Sequence, residues 1–466
     1  MGKRDSKRGD KHFNNKMSAI EKYEVVCTGL NDIGQGTFNI GKNSYSVSNL
    51  LPSEKCIVEE NDYQGIKKFK VVKILAPSKK RCEVKCKAYN KCGSCHLLHL
   101  KYEDQISFKK DYVNKCFKNE KLNIHVDEIC RANVYEGYRN KMAVAYRFQN
   151  KELVYGFYEE DTHRIINNDY CFCHTKEQNE IVNKIARIMK DLKIAPYDED
   201  KRTGVIRFVL VRFGRFSKEY LVTIVTNGSV FPGRSEFVKR LRNECPYITT
   251  IVQNINTRKT SIILGEDEQV LYGKGYITDE ICGISFNISS STFFQVNPYQ
   301  VEVLYNKVKE YLNPDGNEVL IDAYCGVGTI GMTLASSVKE VIGVENNKKS
   351  IINAKNNAIN NKIKNIRFYN EDATEFLVGC AKDRIRVDAL IMDPPRTGST
   401  EAFLNAVNIL KPEKVIYVSC EASTLARDLK ILLKEYSVKK VGIVDMFVGT
   451  YHVECISSLV LRNISS

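Results

Sequence analysis

From Asn297 onward, β-type runs at 318–324, 340–345, 366–369, 388–392, 414–419, 440–446 and 456–461 alternate with helical stretches. Most of these runs are apolar through their length rather than on alternate residues, as in strands buried on both faces. A strand–helix series of this kind points to a parallel sheet with helices on either side. Asn297-Pro298 supplies an N-cap and a first-turn proline, so a helix is expected from there to about 312. Too few residues join the last two runs for a crossover helix, and the terminal strand is therefore expected to be antiparallel.

Upstream the rhythm differs. Residues 1–19, with Lys3, Arg4, Lys7, Arg8, Lys11 and Lys16, lack apolar periodicity and read as a disordered basic arm. Over 20–77, short runs at 23–28, 44–47, 55–59 and 69–75 separated by Gly and Asn turns suit a small five-stranded, OB-like barrel. Residues 78–290 open with a cysteine-rich connector and a helix from 102 to about 119. They continue mostly as strands (204–213, 219–225, 249–255), with a helix near 177–192. Arg207 and Arg212 interleave with apolar residues and Arg215 follows, a pattern open to a basic sheet face or to solvated arginines. The expected fold class is thus multidomain: barrel, central mostly-β domain, and an α/β Rossmann-like domain over 291–466.

Charge divides along the same line. The chain carries +14, yet residues 291–466 hold 21 Lys+Arg against 20 Asp+Glu, so the excess lies upstream and favours a polyanionic partner there. No run of about 18 uncharged apolar residues and no apolar leader occurs, which leaves a soluble, cytoplasmic protein. In a reducing compartment the sixteen cysteines are metal ligands, a nucleophile or buried thiols rather than a disulfide framework.

Three strand ends carry chemistry. Asp322-Ala-Tyr-Cys-Gly-Val-Gly-Thr-Ile-Gly331 follows a strand and leads into a helix, with Gly326, Gly328 and Gly331 spaced for a tight turn against a nucleotide-like ligand. Glu345 ends the next strand, where a carboxylate accepts from ribose hydroxyls, and Asp372 is placed toward the base or at the surface. Asp322 inside the turn disfavours a pyrophosphate and suits the cationic S-adenosylmethionine. Asp393-Pro-Pro-Arg396 closes the fourth strand at the ligand-binding edge. Cys420 closes the fifth, where a thiolate nucleophile is expected, with Arg427 a turn or two on as a cation to lower its pKa. Glu454, in the turn before the last strand, offers a general base. Together these meet the needs of uracil C5 methylation. A thiolate adds to C6, the resulting enolate takes a methyl group, and a base removes the C5 proton to free the enzyme.

Cys86-x5-Cys92-x2-Cys95 supplies three metal ligands, and Cys171 or Cys173 closes a set that zinc or a [4Fe–4S] cluster fits equally on spacing.

With Tyr138-Arg-Asn-Lys141, Phe293-Phe-Gln295-Val-Asn297 and His452-Val-Glu454 added, the chain resembles the RNA (uracil-5-)-methyltransferase family, specifically its 23S rRNA branch. The resemblance implies a TRAM domain over 20–77 and a [4Fe–4S] cluster on Cys86, Cys92, Cys95 and Cys171. It also implies S-adenosylmethionine held by Gln295, Tyr324, Glu345 and Asp393 beside the turn of Asp322, Gly326 and Gly328. Cys420 would be the nucleophile and Glu454 the proton acceptor, in a monomer acting on 23S rRNA, with tRNA as rival substrate. The chain departs from the family at Glu421-Ala422, where Asn-Pro is usual, and at Val448, usually proline; Glu421 is expected to raise the Cys420 pKa. An RNA cytosine-5 methyltransferase would need a second cysteine where Arg396 stands, and an idle rRNA-binding assembly factor would not need Cys420 at all.

Overall fold

In the computed structural model, residues 21–63, 66–159, 162 and 164–462 are described, and the basic arm expected over 1–19 lies outside them. The chain divides into two compact units, Met1–Arg81 and Cys82–Ser466.

In the first unit, Lys22–Val26, Lys55–Tyr63 and Ile66–Ala76 form one antiparallel sheet, and Gly29–Leu30, Gly36–Ile40 and Asn43–Val47 form another. Where one five-stranded barrel was expected, six strands in two three-stranded sheets share a core of Val25, Phe38, Val47, Leu50, Cys56 and Val58. Gly36 permits this packing, since a Cβ there would stand 2.5 Å from the Leu50 carbonyl. Buried Glu54 is held by the Arg81 guanidinium at 2.6 and 2.7 Å.

In the second unit, a seven-stranded sheet runs in the order Ile165–Asn167, Glu152–Tyr158, Lys141–Gln149, Ile206–Phe213, Tyr220–Thr226, Ile248–Ile255 and Asp267–Tyr272. Its parallel pair, Tyr220–Thr226 with Ile248–Ile255, is bridged by the helix Arg234–Glu244. The helix Lys176–Asp191 starts at a Thr175/Gln178 capping box and packs Ile181, Ile185 and Met189 into the same core. Neither reading of Arg207 and Arg212 holds: both are buried, donating to the carbonyls of Asn256 and Arg258 and of Ser290 and Thr292, respectively. Arg215 pairs with Glu302 at 2.8 Å.

The remaining sheet has eight strands, in the order Ile366–Tyr369, Glu340–Val344, Val319–Ala323, Ala389–Met392, Lys414–Ser419, Glu454–Leu461, Tyr436–Val444 and Glu128–Cys130. The first five are parallel, and Glu454–Leu461 runs antiparallel between Lys414–Ser419 and Tyr436–Val444. Glu128–Cys130 joins from far upstream, and the helix Tyr102–Asn119 packs Val113 and Phe117 into the same core as Leu425 and Leu429. A boundary at 290/291 therefore does not separate this layer, because residues 102–130 belong to it. Among the described residues no helix is long and apolar enough to cross a membrane.

Candidate active site

The sheet topology brings the chemistry to one edge. Tyr324, Glu345, Asp393 and Cys420 each follow the last residue of a parallel strand, at its carboxyl end. The antiparallel strand enters at that same edge, so its first residue, Glu454, stands beside Val444 with Cys455 opposite Ser419. A cavity of about 800 Å³ opens there, lined by Gln295, Tyr324, Gly326, Glu345, Asp393, Cys420 and Glu454. Asp372 also lines it, while its Oδ1 accepts from the Thr374 amide at 2.8 Å as a helix cap. Of the two phenylalanines before Gln295, Phe294 is buried against Phe286, whereas Phe293 is 68% exposed on the cavity wall.

Two predicted residues stand behind the wall instead of on it. Asp322 is buried and its Oδ2 accepts from the Gly331 amide at 2.8 Å, tying the glycine turn to its strand. Its Oδ1 has no hydrogen-bond partner among the described residues, and burial pushes its pKa up to about 7. A direct meeting of Asp322 with a cationic ligand is thus not what the geometry offers. Gly328, with φ +79°, caps the next helix, and a Cβ there would press on Met332 and Phe368 at 2.9 Å. Gly326 does line the cavity, and its amide donates to Glu345 Oε2 at 3.2 Å. Glu345 Oε1 accepts from the Asn347 amide at 2.7 Å, which fixes the carboxylate on the cavity wall.

Electrostatics correct the reading of Cys420 as a resting thiolate. Burial, then the charges of Glu454 and Asp393, push its thiol up to about 11, and Arg396 is the cation that opposes them. Arg427, the expected cation, is occupied elsewhere: it binds Asp428 and the Thr397 carbonyl. Glu421, expected to raise the thiol pKa, turns away as the N-cap of Ala422–Leu432 and accepts from Tyr112 Oη at 2.9 Å. The largest charges acting on Cys420 are instead those of Glu454 and Asp393. Burial raises Asp393 to about 7, and burial followed by Asp393 holds Glu454 well above the usual carboxylate range. Two carboxyls and a thiol thus share one pocket, each held toward its protonated form.

The residues that place this constellation carry no signal of that role in the sequence. The Asn140 side-chain Nδ2 donates to the Gln295 backbone carbonyl at 2.9 Å, and Tyr138 Oη donates to the Val448 carbonyl at 3.0 Å, which accounts for two residues of the Tyr-Arg-Asn-Lys motif. Buried Lys109 reaches Asp445 Oδ1 at 2.5 Å and the carbonyl of Phe447, a cavity residue, at 3.0 Å. The Gly449 carbonyl accepts from the amides of His96 and Leu97, each at 2.9 Å. The loop before Glu454 is therefore held by the segment that follows Cys95.

That segment is half of a thiol cluster. The Sγ atoms of Cys95 and Cys173 are 3.7 Å apart, and Cys95 lies within electrostatic reach of Cys171 and Cys92. Cys86 feels both Cys92 and Cys173. Hydrogen bonds to Cys173, then burial, hold Cys95 and Cys171 protonated, while Cys173 is drawn down as their acceptor. Among the described residues, no group of three or more His, Cys, Asp or Glu closes at metal-holding geometry.

A largely parallel sheet with a glycine turn, flanking carboxylates and a cavity at its carboxyl edge defines an S-adenosylmethionine-dependent methyltransferase. Residues 101–462 match the family model for tRNA (uracil-5-)-methyltransferase. An uncharacterised RNA methyltransferase of Halalkalibacterium halodurans is 35% identical, over 96% of this chain and 99% of that protein. One from Listeria monocytogenes is 38% identical, over 95% of this chain and 98% of that one. The structure of a Pyrococcus abyssi tRNA (uracil-54, C5)-methyltransferase in complex with S-adenosyl-L-homocysteine is also similar. It superposes with a TM-score of 0.75 at 26% identity and covers 94% of this chain and 100% of that one. The chain belongs to the RNA uracil-5-methyltransferase family.

Proposed function

We propose that the protein methylates C5 of a uridine in 23S rRNA through a covalent Cys420–C6 adduct. The observation that carries the chemistry is the meeting of Cys420, Glu454 and Asp393 in one cavity with Gln295, Tyr324 and Glu345; the 23S rRNA target rests on the resemblance of the sequence to that branch. S-adenosylmethionine, when bound, supplies the methyl group. Glu345 is placed for ribose hydroxyls, and Gln295, Tyr324 and Asp393 complete the cofactor wall beside Gly326. The thiol of Cys420, held protonated at rest, passes its proton to the Asp393 carboxylate as its sulfur bonds to uracil C6, and Asp393 returns that proton when the sulfur is released. Arg396 is the cation beside the negative charge, which this step moves from the carboxylate onto the uracil enolate. After methyl transfer, Glu454 accepts the C5 proton, and elimination across C5–C6 returns the thiol. The uridine enters as a flipped base, with exposed Phe293 at the wall for it to stack on.

A tRNA T-loop uridine is the second reading, favoured by the likeness to the Pyrococcus abyssi tRNA enzyme. Because that likeness runs over 94% of this chain, its N-terminal parts do not by themselves separate the two substrates. Transfer of labelled methyl to unmodified 23S rRNA fragments and to tRNA, with nucleoside analysis for 5-methyluridine, decides. Label in rRNA is expected; label confined to tRNA replaces the substrate, and none in either removes the reaction.

For the thiol cluster we propose a [4Fe–4S] centre on Cys86, Cys92, Cys95 and Cys171. Soft sulfur donors gathered from two chain segments fit such a group, and Cys173 adds a fifth thiol at the centre of the set. Iron and acid-labile sulfide in anaerobically purified protein are expected; zinc in their place refutes the assignment.

A further inference from the structure

A second cavity, of about 590 Å³, lies in the central seven-stranded part of the chain and shares no residue with the methylation cavity. Its apolar floor is Leu153, Met189 and Ile194, and the ring of Phe148 stands 54% exposed over it. Lys151, Lys190 and Lys193 project from the rim, all exposed, with Glu152 the one acid in the lining. Among the described residues none of these lysines has an ion pair, although Lys184 and Arg187 on the same helix both pair with Glu244. Their backbones are pinned: Asn150 and Lys151 form a left-handed hairpin tip, and Lys193 holds φ +54° just past the helix end.

An exposed aromatic ring framed by unpaired cations is the chemistry that takes single-stranded nucleic acid, the base on the ring and the phosphates on the lysines. We propose that this groove binds a single-stranded segment of the substrate RNA outside the methylated nucleotide, with a base stacked on Phe148 and phosphates met by Lys151, Lys190 and Lys193. The proposal rests on RNA being the substrate and is independent of which uridine is methylated. It also gives part of the positive charge upstream of residue 291 a defined site.

The test uses the full chain and a short fluorescein-labelled oligoadenylate, which has no uracil to enter the methylation cavity, titrated by anisotropy across a salt series. Phe148→Ala should weaken binding about 5- to 150-fold. Replacing Lys151, Lys190 and Lys193 together by Ala should reduce the slope of log affinity against log salt by about 2, at about 0.7 for each phosphate that is no longer neutralised. A charge-matched triple replacement of exposed Lys239, Lys259 and Lys362 should leave both values unchanged. Both groove variants should keep kcat for methyl transfer and raise KM. Unchanged binding in the Phe148 variant, or an equal slope change in the control, overturns the proposal. So does Phe148-dependent binding of a polyglutamate peptide by a protein that ignores oligoadenylate. If no RNA accepts methyl, the proposed reaction falls, while the anisotropy series still decides the groove.

Discussion

Replacing Lys109 by methionine keeps its aliphatic stem and removes the ammonium that Asp445 faces across 2.5 Å in a site where both side chains are about 1% exposed. Asp445 Oδ2 has no hydrogen-bond partner among the described residues, so the substitution strands a buried carboxylate with neither oxygen on a cation. Breaking a buried pair from one side costs about 3–5 kcal/mol, because the remaining charge keeps its desolvation penalty. At about 2 °C per kcal/mol for a large domain, the melting temperature should fall by about 6–10 °C. Adding Asp445→Leu removes the stranded charge and should restore most of the loss, since a buried pair exchanged for apolar groups is often near neutral. Calorimetry of the parent, Lys109→Met and the double variant reads this directly. The Phe447 carbonyl also loses its donor, so methyl transfer should fall in both variants even where stability returns. A single variant melting within about 1 °C of the parent, or a double variant no more stable than the single, refutes the reasoning.

Cys420→Ala should abolish methyl transfer with an unchanged melt, and appreciable turnover by it would end the covalent mechanism. Glu454→Gln should accumulate a protein–RNA adduct visible on a denaturing gel; free turnover would remove Glu454 as base. In the free enzyme, alkylation of Cys420 by iodoacetamide, followed on its own peptide by mass spectrometry, should be slow at pH 7 and rise about tenfold per pH unit toward the thiol pKa of about 11. Because Glu454 raises that pKa and Arg396 lowers it, Glu454→Gln should shift the profile to lower pH and Arg396→Leu to higher; reversed shifts would refute the charge arrangement. Glu421→Asn should leave the profile in place, as expected of a helix cap facing Tyr112. Asp322 and Asp393, each raised by burial to about 7, bind protons more tightly folded than unfolded. Their share of unliganded stability should therefore be lost as pH rises from about 4 through 7, against the opposite trend of His174 and His452, which burial lowers to about 4; an Asp322→Asn, Asp393→Asn variant whose calorimetric pH profile matches the parent's would contradict it.

The alternating series after Asn297 and the strand-end motifs were legible because local rules write them: an N-cap with a following proline, glycines in a turn, and acids where parallel strands finish. The antiparallel last strand was legible for the same reason, since its connection is too short to cross the sheet. Its insertion between Lys414–Ser419 and Tyr436–Val444 was not, because side chains of a buried strand do not name their neighbours. Arg207 and Arg212 are each set among apolar strand residues like outward-facing cations, yet their partners are carbonyls some 50 to 80 residues onward. Asp322 and Glu421 show the same limit at closer range. A carboxylate in a turn serves equally to bind a ligand or to hold an amide, and only the fold selects.

The joining of Tyr102–Asn119 and Glu128–Cys130 to the C-terminal sheet sets an order of events during synthesis. Lys109 leaves the ribosome 336 residues ahead of Asp445, on the order of 20 to 70 s at ordinary elongation rates. Over that interval the apolar stripe of Val113 and Phe117 has been made but the strands and helices that bury it have not. The nascent chain must carry a greasy helix and an unpaired strand edge through the completion of its central sheet, a window in which a holdase chaperone has something to grip.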